Sequence, residues 1–208
     1  MGNGLIPGPA NGPGSPDIDE GTMPRAGTPP PGSVGLELKG GKGAPQQSLG
    51  DKVLGFARQR VGQVHGDGEC FTLADDALKG AGAKSAADFG TVAPDVDYVW
   101  GTAVARASLK PGDIVQMRDY RAEITTDTDH PDGSSESDSR IEERPHHTAI
   151  VESVDAEGRA TVLEQNHPAG SAVTRNVIHL KDNTSLSGST KTQVTVSGTL
   201  WFYRPLAR

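Results

Sequence analysis

The stretch Gly66 to Leu78, GDGECFTLADDAL, decides how the chain is read. Cys70, Leu73, Ala74, Ala77 and Leu78 recur at the spacing of one helical face, while the glycines before Cys70 resist helix and Gly80-Ala-Gly82 supplies a stop. Cys70 therefore falls in the first turn of a helix. It is also the single cysteine among 208 residues, which excludes an internal disulfide framework and any zinc site built on several thiolates. Two readings of the sulfur remain: a small apolar residue at a helix start, or a nucleophile. A helix N-terminus favours the second, because the positive end of the macrodipole and the unpaired backbone N–H groups both stabilise a thiolate. The same N–H groups can hold a developing oxyanion.

Upstream, Ser48-Leu-Gly-Asp51 resembles a capping box, and Leu49, Val53, Phe56, Ala57 and Val61 follow at helical spacing to a stop at Gly62. Residues 1–47 hold twelve glycines and nine prolines, a composition that resists regular structure. They are expected to form a disordered Pro/Gly-rich leader, with one domain over 48–208. Downstream, a short helix is expected near Ser85 to Phe89, and the Pro-Gly turn in "LKPGDIVQM" feeds a strand. Residues 118–145 are polar and charged around a Pro-Asp-Gly turn signal, and read as a surface insertion. "HTAIVESV" (147–154) and "RATVLEQN" (159–166) read as two strands joined by a tight turn, with further strands over 173–180 and 193–203. Helices first and mostly antiparallel strands afterwards is an α+β pattern.

The chain carries 27 acidic against 20 basic residues, a formal net charge of −7, without a Lys/Arg cluster. That balance argues against nucleic acid or an anionic membrane as partner. The expected state is a monomer. His65, His130, His167 and His179 show no ligand spacing with sulfur or acidic partners, so neither a metal nor another cofactor is expected. The N-terminus has no basic-plus-apolar pattern of a signal peptide, so synthesis in the cytoplasm is expected, with any delivery to a cell wall by another route.

Catalysis by a thiol needs a base and a group that orients the base. His147 opens an apolar strand, a rigid place from which an imidazole can reach a helix terminus, and His146 beside it reads as a solvated neighbour or substrate contact. Glu164 and Asn166 end the next strand and, two apart, are expected to share a face while Gln165 points away. Either of the pair could take the proton of the second imidazole nitrogen.

The run "VLGFARQRVGQVHGDGECFTLADDAL", followed by "DYVWG", "LKPGDIVQM", "HTAIVESV" and "VLEQN", resembles the CHAP family of cysteine, histidine-dependent amidohydrolases/peptidases, kin of the NlpC-type cell-wall hydrolases, over about residues 48–205. The resemblance implies a papain-like fold with N-terminal helices packed on the sheet. It also implies a catalytic set of Cys70, His147 and Glu164 with Asn166, and hydrolysis of an amide bond in peptidoglycan or another peptide substrate. Gln63 is the nearest candidate for an oxyanion-hole glutamine. An acyl transferase or amide hydrolase acting on proteins or small molecules, and an inactive binding module, are the alternatives.

Overall fold

A computed structural model describes residues 47–208; the expected leader, apart from Gln47, lies outside the described residues. Helix α1 spans Leu49–Arg58. Ser48 caps it by accepting from the Asp51 N–H at 3.1 Å, and the Asp51 carboxylate accepts from the Ser48 N–H in return. This reciprocal box satisfies two of the donors that every helix start leaves open. Helix α2 spans Cys70–Ala81 and ends at Gly82 in the left-handed conformation. Asp88 accepts from the Ser85 N–H at 2.8 Å around a short 3-10 turn, Ala86–Asp88.

The strands are β1 (Thr102–Ala103), β2 (Ile114–Asp129), β3 (Ser135–Val154), β4 (Arg159–Glu164), β5 (Thr174–His179), β6 (Asn183–Ser187) and β7 (Thr190–Arg204). They form one sheet in the order β1-β7-β2-β3-β4-β5, with β6 also paired to β7, and every pairing is antiparallel. Alternation along the central strands divides the core in two. Ile114, Ile150, Leu163 and Tyr203 pack with Val53, Leu54 and Ala57 of α1 and with Leu73, Ala74, Ala77 and Leu78 of α2. Val115, Met117, Ala149, Val151, Ala160, Val162 and Ile178 form a second cluster. A mostly antiparallel sheet with two helices ahead of it fits a papain-like cysteine proteinase fold.

Residues 118–145, read from sequence as an insertion between strands, are not irregular. They continue β2 and β3, paired from Met117↔His147 out to Asp129↔Ser135 with Asp119 and Pro145 skipped, and turn through 130–134. On the β3 side the alternation that marks a strand is missing because residues 135–141 are exposed on both faces, whereas on the β2 side Tyr120, Ala122 and Ile124 alternate with polar residues and are buried. Cross-strand polar pairs take the place of a core: Ser137 donates to Asp127 at 2.7 Å, and Arg121 pairs with Glu143. Strand β6 is likewise polar and was not expected from sequence.

Candidate active site

Cys70 is the first residue of α2, half-buried and unbridged. The loop before it turns through Gly66 and Gly68 at φ +59° and +90°, values that L side chains rarely adopt. Gln165 clamps this loop from the end of β4. Its Oε1 accepts from the His65 N–H at 2.6 Å, and its Nε2 donates to the carbonyls of His65 (3.0 Å) and Glu69 (3.1 Å). The position of the sulfur is thus fixed from β4 through backbone hydrogen bonds. The first helical bond of α2 runs from the Leu73 N–H to the Glu69 carbonyl, so the N–H groups of Cys70, Phe71 and Thr72 precede it, as at any helix start.

His147 sits on β3, with only 6% of its surface exposed. Its Nε2 is 2.9 Å from Glu164 Oε2, off the axis of an aligned hydrogen bond, so the contact is an ion pair more than a directed bond. With Nε2 turned to Glu164, Nδ1 is the nitrogen left for the sulfur. Burial alone would lower the imidazole's pKa. A hydrogen bond with Cys70, another interaction with Glu164 and the charges of both outweigh burial and push it up to about 9. Both neighbours therefore favour the protonated imidazole.

Glu164 is fully buried and bonded on both oxygens. Arg144 donates from Nε to Oε2 at 2.9 Å and from Nη2 to Oε1 at 2.6 Å, and Asn176 donates to Oε1 at 2.8 Å. Burial pushes the Glu164 carboxyl up, but Arg144 and then His147 hold it well below the usual carboxylate range. Arg144, itself 3% exposed, lies over the Tyr120 ring, 5.7 Å from its centroid. The result is a buried relay in which a bidentate Arg–Glu pair faces the imidazole of His147.

The structure brings Cys70, His147 and Glu164 together and leaves two expected residues out. Asn166 does not share the face of Glu164, because β4 ends at Glu164 and Asn166 turns away at φ +65°. Its amide donates to Glu69 Oε2 at 2.8 Å and its Oδ1 accepts from the Gly170 N–H at 2.6 Å, so it holds a turn and not the imidazole. Gln63 is exposed and does not line the cleft at Cys70; its backbone bonds Arg60 and Val173. Gln165, expected to point away, is the residue that grips the cysteine loop. Arg144 and Asn176 were not anticipated: Arg144 falls three residues before His147 in a segment whose polarity hides its strand.

A cleft of about 520 Å³ opens over Cys70, His147 and Thr148. Phe71 and Tyr98 stack across it with ring centroids 4.8 Å apart, and Tyr98 holds the 91–97 segment by donating to the Ala93 carbonyl at 2.7 Å. His146 lines the same cleft, its ring 5.7 Å from that of Tyr98 and its Nε2 3.8 Å from Asp97 Oδ1. A larger hollow of about 600 Å³, bordered by Arg106, Lys181 and Asp182, contains neither cysteine nor histidine. Among the described residues no group of three or more His, Cys, Asp or Glu is arranged to hold a metal ion.

Residues 43–208 match the sequence model of a family described as the AIM3/BBC1 cysteine proteinase-fold domain. No curated protein and no solved structure matches the chain. The family match carries the cysteine proteinase fold and does not extend to the CHAP or NlpC families.

Proposed function

Starting from the premise that this chain belongs to the AIM3/BBC1 cysteine proteinase-fold family, we propose that residues 47–208 form a cysteine acyl hydrolase or acyl transferase with Cys70 as nucleophile. The observation that carries the reading is His147 held between Cys70 and the Arg144-paired Glu164. In this scheme the Cys70 sulfur, its proton resident on His147, adds to an amide or peptide carbonyl. The oxyanion is met by the N–H groups at the start of α2. His147 then gives its proton to the leaving amine as the C–N bond breaks, which leaves a thioester on Cys70. Water, or an incoming amine, attacks that thioester while His147 accepts its proton, and the C–S bond breaks to return the ion pair. Glu164 keeps Nδ1 aimed at the sulfur and favours the imidazolium.

One test uses a neutral electrophile, iodoacetamide, on the full-length chain. Because Cys70 is the single cysteine, all labelling reports one sulfur. The expected result is labelling at neutral pH faster than that of a small free thiol, lost in His147→Ala. Ordinary thiol pH dependence in both proteins rejects the reading. Turnover is then sought with peptide amides, protein substrates and purified peptidoglycan, Cys70→Ala serving as the control. Peptidoglycan stem peptides, implied by the CHAP resemblance, receive no support from the AIM3/BBC1 match and stand as one arm among these.

A second reading, a binding module that keeps the fold without the chemistry, draws on one observation. Both oxygens of Glu164 are taken by Arg144, and the His147 contact is off-axis. It predicts slow labelling of Cys70 that His147→Ala leaves unchanged.

A further inference from the structure

The acids that flank the sulfur have no part in the chemistry proposed above. Asp67, Glu69 and Asp95 line the cleft together with Phe71 and Tyr98. No lysine or arginine lines it. The nearest guanidinium, Arg118, is already committed: Nη1 is 2.5 Å from Asp95 Oδ1 and Nε donates to Asp97 Oδ1 at 2.9 Å. Asp67 is held by Thr72 and by the Glu69 N–H at 3.0 Å, Glu69 accepts from the Asn166 amide at 2.8 Å, and among the described residues neither carboxylate forms a salt bridge. His146 and His147 also line the cleft, but Nε2 of His147 is taken up by Glu164 at 2.9 Å. Beside a reactive sulfur such acids would be a handicap unless the substrate brought the opposite charge.

We propose that this cleft selects substrates with a positive charge next to the reacting carbonyl: a peptide whose lysine or arginine lays its aliphatic stem on Phe71 and Tyr98 and its head against Asp67 and Glu69. The inference rests on the reading of Cys70 as a nucleophile. Long basic side chains cover apolar surface with their stems while the charged end stays solvated, and a cation over an aromatic face gains further attraction. Carboxylates at a cleft also concentrate cations there and repel anions, an effect that salt weakens.

The test compares three methanethiosulfonates on the full-length chain: neutral methyl, cationic trimethylammonioethyl and anionic sulfonatoethyl. In each case the Cys70 sulfur forms a mixed disulfide and methanesulfinate leaves, so the three differ in charge and bulk and not in chemistry. Rates are taken relative to those of a small free thiol. The expected result is a cationic-to-anionic ratio of about tenfold or more at low salt. The ratio should shrink in concentrated salt, which needs no variant, and fall toward unity in Asp67→Asn/Glu69→Gln, where both replacements keep the acceptor oxygens of the loop. A ratio near one, or reversed, in the unaltered protein overturns the inference while leaving the nucleophile reading in place, provided the neutral reagent still reacts in a His147-dependent way. A neutral rate no faster than a free thiol, unchanged by His147→Ala, overturns both.

Discussion

Replacing Glu164 by glutamine changes one atom's chemistry and little of its volume, yet the structure assigns it a large cost. Arg144 is 3% exposed and spends two of its N–H donors on Glu164. With the charge gone, a buried guanidinium loses its counterion and the imidazolium of His147 loses its acidic neighbour. Breaking a buried pair from one side costs about 3–5 kcal/mol. At roughly 2–4 °C per kcal/mol for a chain of this size, the melting temperature should fall by about 6–20 °C. Glu164→Gln/Arg144→Met, which removes both charges, should recover a large part of that loss, since a buried pair replaced as a unit is often neutral. The pH dependence sharpens the test. His147 is raised to about 9 in the folded protein, so its contribution is full below the unfolded value near 6.5 and is lost as pH rises through 9. Glu164→Gln should flatten that loss, and NMR titration of the imidazole should show its pKa dropping, because burial then acts with less opposition. Thermal unfolding at pH 6 and pH 9 measures both effects. A melting temperature within 2 °C of the parent at pH 6, or a double variant as unstable as the sum of the singles, would falsify the account of Glu164 as a paired buried charge.

Three further outcomes follow from other contacts. Gln165→Ala should cost about 1–3 kcal/mol by leaving the His65 and Glu69 carbonyls and the His65 N–H without their partner, and it should slow iodoacetamide labelling of Cys70, which Gln165→Glu would not restore; unchanged labelling would remove the clamp from the site. Ser48→Ala deletes the cap of α1 and should lower stability by about 1 kcal/mol, read by denaturant midpoint, with labelling of Cys70 unaffected. Glu152 is held down to about 2, by Arg175 against the penalty of burial and then by Arg58. Its stabilising contribution is present above 4.5 and lost as pH falls toward 2, so an acid-unfolding curve should lose that component in Arg175→Ala. An identical curve in the variant would show that the pair contributes nothing.

The sequence by itself determined what local chemistry decides. The Ser48–Asp51 box, the start of α2 at Cys70, its stop at Gly82 and the turn before Arg159 each depend on residues within a few positions of one another, so their cues survive without knowledge of the fold. The pairing of His147 with Glu164 was suggested by strand order and by resemblance, but strand order alone left Asn166 as an equal candidate. Only the tertiary structure decided between them, because extended geometry stops at Glu164 and a positive φ at Asn166 swings its amide toward Glu69. Arg144 and Gln165 were invisible for a related reason. An arginine in a polar segment and a glutamine at a strand end carry no periodic signal, and each gains its role from partners 20 to 100 residues away. The β3 side of the arm hid its strand because hydrophobic alternation records burial of one face, and residues 135–141, solvated on both faces, have none to record; on the β2 side the alternation of Tyr120, Ala122 and Ile124 is a legible strand signal.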